Sequence, residues 1–223
     1  MDLTGKRILV AGATGALGGA LSRELRDAGA DVVTAGRRDC DVTLDLADPA
    51  SPAAAAGAAG RIDGLLIAAG NVAFGAAEET PDEITRALLD VNVLGPIALM
   101  RAALAQPEPP AAIAAISAVV ADLPTARMAA YSAAKAALSA YLTALRHERR
   151  RARTVVLDVR PPHLDTGSRR GRSRGSRRGC PSPCLPPSWS RRSSPHCATS
   201  AGRSAGISRT GGSRRPELAA SAA

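Results

Sequence analysis

Tyr131 and Lys135 stand four residues apart in a long alanine-rich stretch that reads as a helix, so their side chains share one face about a turn apart. A phenol with an ordinary pKa of about 10 is a poor acid–base catalyst at neutral pH, and a neighbouring ammonium would draw it towards the working range. The chain contains two Lys and two Tyr against 27 Arg, so this helix commits one of each scarce type at the required spacing. The plainer alternative is a Tyr packed on a sheet with the Lys stem lying over it. Ser117 ends an apolar run fourteen residues before Tyr131; taken singly, such a serine is more often a strand cap than a catalyst.

A second constellation lies near the N-terminus. Gly12, Gly15 and Gly18 form a G-x-x-G-x-x-G spacing between an apolar run and an amphipathic stretch. Between a strand and a helix, such glycines let the backbone approach a pyrophosphate, and the helix start offers unpaired N–H groups to its charge. A simple tight turn is the competing reading. About 20 residues on, where an acidic residue would hold a ribose 2′-hydroxyl, this chain has Gly36-Arg37-Arg38. Guanidinium groups there suit a 2′-phosphate, because they form bidentate, charge-assisted bonds to it; otherwise they are solvated loop charges.

These residues need a scaffold that brings them to one edge. Apolar runs at Arg7–Ala11, Asp31–Ala35, Val42–Leu44, Leu65–Ala69, Ala111–Ser117 and Thr154–Val159 predict six strands. Between them, helices are predicted from Ala16 to Ala28, from Ser51-Pro52, from a Thr80–Glu83 capping box to about Ala105, and from about Ala129 to Arg151. Strands alternating with helices, several of them apolar throughout, predict a Rossmann-like, doubly wound parallel α/β sheet of about six strands.

Composition divides the chain at residue 167. Residues 1–167 hold 17 basic and 19 acidic residues, whereas 168–223 hold 12 and 1, so the net charge of +9 comes from the last 56 residues. That segment is dominated by Ser, Arg, Gly and Pro, shows no helical or strand period, and is expected to be a disordered tail. Only four aromatic residues occur in the whole chain, which argues against a base-stacking nucleic-acid surface. The Arg/Ser/Gly run at 168–178 would bind polynucleotides, if at all, by phosphate neutralisation. Cys180, Cys184, His196 and Cys197 lack the spacing and the core of a zinc site, and no metal is expected. Uninterrupted apolar runs stay below the roughly 18 residues of a membrane span, and the chain reads as cytoplasmic.

With Gly12/Gly15/Gly18, Ser117, Tyr131 and Lys135 in this order, the chain resembles the short-chain dehydrogenase/reductase family from about Lys6 to Gly167. The resemblance implies a nicotinamide-dependent oxidoreductase acting on a small carbonyl or alcohol. It makes Tyr131 the general acid or base, Ser117 a hydrogen-bonding partner of the substrate oxygen, Lys135 the holder of the nicotinamide ribose, and Asn92 the organiser of a proton-relay water. It places Gly12, Thr14, Gly15, Leu17, Gly18, Arg37, Arg38, Asp45, Leu46, Ala69, Gly70, Lys135 and Thr166 against the cofactor. NADP(H) is the preferred cofactor, with NAD(H) as the alternative. The family also implies a homodimer or homotetramer through the helices bearing Asn92 and Tyr131, where Ala136, Ala137, Ser139 and Ala140 would permit close approach.

The departures are specific. Ile67-Ala-Ala-Gly70 lacks the two asparagines usual after the fourth strand, which puts a brace between strands in doubt, and Pro162 stands where a glycine is usual. Residues 168–215 lack the pattern of the helices and strand that cover a substrate in the family; they read as an out-of-frame translation of a G+C-rich gene. Three functions therefore compete at this level: an NADP(H)-dependent reductase, a dinucleotide-binding relative whose catalysis is impaired, and, least favoured, a nucleic-acid-binding module carried by residues 168–223.

Overall fold

The computed structural model describes residues 2–152 and 154–161. In chain order the elements are β1 (Arg7–Ala11), α1 (Ala16–Asp27), β2 (Asp31–Gly36), β3 (Val42–Thr43), α2 (Ser51–Ala59), β4 (Gly64–Ile67), α3 (Asp82–Leu89), α4 (Gly95–Leu104), β5 (Ala112–Ile116), α5 (Ala129–Arg149) and β6 (Val155–Val159). The six strands form one parallel sheet ordered β3-β2-β1-β4-β5-β6. This is the doubly wound topology expected from the sequence, and the chain reverses direction across the sheet between β1 and β4. A crevice opens at such a switch point, beyond the C-terminal ends of the strands.

Burial follows from composition. With scarcely any aromatic side chains, the larger core is built from Leu, Ile and Ala: Leu9, Ile67, Leu99, Met100, Ile113, Leu138 and Leu142 are almost wholly buried, and Ala55, Ala56, Ala103 and Ala115 fill the space between them. A smaller cluster of Ile8, Val10, Ala30 and Val32, with Leu25 and Leu66 against it, occupies the other face beneath α1. On β6 the alternation is sharp. Val156 is buried, while Val155, Leu157 and Val159 stay 42–49% exposed among the described residues.

Two local expectations are corrected. Thr80 does not cap α3 with its side chain, because its hydroxyl donates to the Ala76 carbonyl, at the start of the 3-10 turn Ala77–Glu79. The continuous helix expected up to Ala105 is interrupted by a π-helical turn at Asp90–Leu94. Pro96 supplies the reason: it has no N–H for the Asn92 carbonyl four residues earlier, and Gly95 N–H bonds back five residues to Asp90 instead. The resulting stretch Asp82–Leu104, 23 residues with an 18-residue window of mean hydropathy 1.5, is long and apolar enough to cross a membrane by length and composition. Its buried members, Ile84, Leu88, Val93, Leu99, Met100 and Ala103, are part of this globular core. Thr166, Pro162, the boundary at 167 and the tail with its cysteines lie outside the described residues.

Candidate active site

Gly12 follows β1 with φ +85°, a conformation that L side chains rarely adopt, and its N–H donates to the Ala35 carbonyl at 2.8 Å. A Cβ there would come within 2.6 Å of the Ala69 amide nitrogen, so the first turn and the end of β4 touch through backbone alone. At Gly18 a Cβ would lie 2.1 Å from the Gly12 carbonyl oxygen, which seats α1 directly on the turn. Gly15 caps α1 without a side chain, and the first turn carries no acidic residue, so the helix start presents bare N–H groups to the crevice. This cradle fits a pyrophosphate.

Thr14 is exposed, and its hydroxyl lies 3.7 Å from where a Gly36 Cβ would be, so the glycine turn borders the end of β2. Arg37 and Arg38 continue from that end, both exposed. Leu17 is half-buried on α1 and Leu46 is buried. A Gly95 Cβ would fall 2.3 Å from the Leu46 carbonyl oxygen, so the helix after the π-turn closes on this rim. Asp45 turns its carboxylate inward to accept the Ala47 N–H at 3.0 Å.

The third group lies one residue past the Gly12–Ala69 contact. A Cβ on Gly70 would sit 2.8 Å from Asn92 Oδ1 and 3.3 Å from Lys135 Nζ, so both polar side chains converge on this glycine. Asn92 is fully buried on the π-turn; its amide donates to the Leu88 and Asn71 carbonyls, both at 2.9 Å, and accepts the Asn71 N–H at 3.2 Å. Asn92 thus ties the π-turn to the loop after β4 through the Asn71 backbone. Lys135, 4% exposed, donates to the Ile116 carbonyl at 2.9 Å, and its Nζ lies 5.8 Å from the Tyr131 ring centre.

Three sequence expectations change here. Ser117 is buried, and its hydroxyl donates to Asp158 at 2.5 Å, so its one proton is committed to a carboxylate. Tyr131 was expected to be drawn down by Lys135; burial instead pushes it above its ordinary value. Burial lowers Lys135 from 10.5 to about 8, with the Asp158 charge acting in the opposite direction. Asp158 itself is opposed by burial, but hydrogen bonds from Ser117, Ser139 and Arg160 outweigh that and hold its carboxyl below the usual range. Sequence reasoning passed over Asp158, although a carboxylate inside the apolar run Val155-Val-Leu-Asp-Val159 was a visible signal. Ser139, expected on a helix-packing surface between copies, is buried and donates to Asp158 at 2.7 Å.

Residues 39–176 match the sequence profile of the family described as short chain dehydrogenase. The chain is 30% identical over 188 residues to dehydrogenase/reductase SDR family member 7B of Rattus norvegicus, covering 71% of this chain and 58% of that protein's length. An uncharacterized oxidoreductase of Methylorubrum extorquens is 31% identical over 186 residues, covering 74% of this chain and 75% of its own. Among solved structures, a short chain dehydrogenase from Burkholderia cenocepacia in complex with NADP superposes with a TM-score of 0.70 at 30% identity, covering 78% of this chain and 79% of that one.

Proposed function

The chain belongs to the short-chain dehydrogenase family, and on that premise we propose that it is an NADP(H)-dependent oxidoreductase acting on a small carbonyl or alcohol, with Tyr131 as general acid or base. The observation that carries the proposal is the convergence of Asn92 and Lys135 on Gly70, next to the Gly12–Ala69 contact and one turn from Tyr131. A dinucleotide bound along the glycine cradle would supply the hydride. The protein supplies binding, orientation and the proton.

Gly12, Thr14, Gly15, Leu17 and Gly18 would cradle the pyrophosphate, Asp45 and Leu46 would border the adenine, and Ala69 and Gly70 would floor the crevice. Lys135 would hold the ribose hydroxyls, and Thr166 is assigned to the carboxamide. Because burial raises Tyr131, its phenol keeps its proton at neutral pH, which suits donation to the oxygen of a carbonyl being reduced. For Ser117 to donate to a substrate carbonyl oxygen, its hydroxyl must leave Asp158; the geometry favours a fixed Ser117 that orders the end of β5. Arg37 and Arg38 favour a 2′-phosphate, and the NADP-bound relative supports that preference. A homodimer through α4 and α5 would use exposed Ala137 and Ala140.

A second reading, dinucleotide binding without turnover, is favoured by the unpatterned composition of residues 168–215. Fluorescence titration with NADPH and NADH, followed by NADPH oxidation over a panel of ketones and aldehydes, decides between them. We expect NADPH to bind at least about tenfold more tightly than NADH, from about 1.4 kcal/mol of guanidinium–phosphate attraction, with turnover of at least one carbonyl. Binding without turnover would establish the second reading, and equal affinities would remove the role given to Arg37 and Arg38.

A further inference from the structure

Three elements meet behind the Tyr131–Lys135 face, and one carboxylate joins them. Asp158, on β6 and with a side chain only 3% exposed, accepts from Ser117 Oγ just past β5 at 2.5 Å, from Ser139 Oγ on α5 at 2.7 Å, and from Arg160 Nε at 2.8 Å. The two serines are placed informatively. Ser117 follows Ile116, whose carbonyl receives the Lys135 ammonium, and Ser139 stands one helical turn beyond Lys135. Arg160 closes the cluster with its other nitrogens, donating to Ser139 Oγ at 2.7 Å and to Asp122 at 2.5 Å.

We propose that Asp158 is a positioning residue, a clamp that sets the distance between α5 and the end of β5 so that the Lys135 ammonium stays charged and fixed on the Ile116 carbonyl. The proposal rests on the reading of Lys135 as the partner of Tyr131. Charge supports it. Of the groups around Lys135, Tyr131 lies on its own helix, the Asn92 amide across from it is uncharged, and Asp158 is the carboxylate that acts on it from β6, itself balanced from the far side by Arg160. Burial draws Lys135 down to about 8, and Asp158 opposes that fall. Neutralising Asp158 would leave a larger share of Lys135 uncharged at neutral pH, whereas removing Arg160 would strengthen the hold of Asp158 on it.

The test exploits the scarcity of lysine. With carbon-13 at the lysine ε-carbon, the protein gives two side-chain signals, Lys6 and Lys135, and Lys6→Arg assigns them. In the wild type the Lys135 midpoint is expected at about 8. Asp158→Asn is expected to lower it by about half a unit or more, and Arg160→Met to raise it by a few tenths, in line with the loss or gain of a partly screened charge. Should the Asn variant fail to fold, Arg160→Met, at a half-exposed position, still decides the matter by its sign. An unchanged midpoint in the folded variants overturns the clamp. The titration needs no turnover, so the expected shifts in a protein that reduces no carbonyl would leave the clamp standing and overturn the oxidoreductase reading instead. Where turnover is present, the alkaline limb of the reduction rate should move to lower pH in Asp158→Asn, a change that a purely structural loss would not produce.

Discussion

A buried ammonium costs the fold something that only function repays, and Lys135 shows how much. Its value of about 8 in the folded chain, against 10.5 unperturbed, means that the unfolded chain binds the proton more tightly across that window. Stability should therefore rise with pH between about 8 and 10.5, and below about 8 the charged side chain costs on the order of 3 kcal/mol at 1.36 kcal/mol per unit. Lys135→Met also loses a hydrogen bond from a charged donor to the Ile116 carbonyl, worth about 1.5–3 kcal/mol. The net expectation is a variant at least as stable as wild type at pH 7, by up to about 1.5 kcal/mol, with the alkaline rise in stability gone. Urea denaturation at pH 7 and pH 9.5 checks both, and a Met variant less stable than wild type at pH 7 would contradict the burial argument. At this scale the sequence shows Tyr131 and Lys135 clearly, because scarcity and i, i+4 spacing are local properties, whereas Asn92 enters only through the family resemblance. The fate of the Ser117 proton was hidden, since it depends on Asp158, 41 positions away.

Among the elements, strands and helices were legible wherever an apolar run met a glycine or proline boundary, and all six strands begin within about one residue of expectation. The π-turn was not legible. Its cause is the missing N–H of Pro96, yet an apolar period continues through it, and period alone cannot distinguish a bonding step of five residues from one of four. That turn is what brings Asn92 to Asn71 and Gly95 to the Leu46 carbonyl. The closest element contact is the seat of α1 on the first turn, and it can be tested against an internal control. Gly18→Ala places a Cβ 2.1 Å from a backbone oxygen and should cost about 2 kcal/mol or more, with weaker NADPH binding. Gly57→Ala, in a helix with no atom within 4 Å of the new Cβ, should stabilise by about 0.5–1 kcal/mol. Equal effects at the two sites in chemical denaturation would show that the close seat of α1 is not what constrains Gly18.

For the whole molecule, the net charge of +9 describes two unlike segments: the near-neutral residues 1–167, which carry every residue of the candidate site, Thr166 included, and 56 residues that carry the excess. Family membership rests on residues 39–176, which lie almost wholly in the first segment. The account depends on one claim, that the Tyr131–Lys135 face at the glycine cradle performs acid–base chemistry during carbonyl reduction. The most direct measurement is kcat/KM for NADPH-dependent reduction by the wild type, Tyr131→Phe and Ser117→Ala, with NADPH affinity measured in parallel. The account predicts a loss of about a thousandfold for Tyr131→Phe, at most about tenfold for Ser117→Ala, since its proton is committed to Asp158, and NADPH affinity within a few-fold of wild type in both. A Phe variant that reduces the carbonyl as fast as wild type would contradict it.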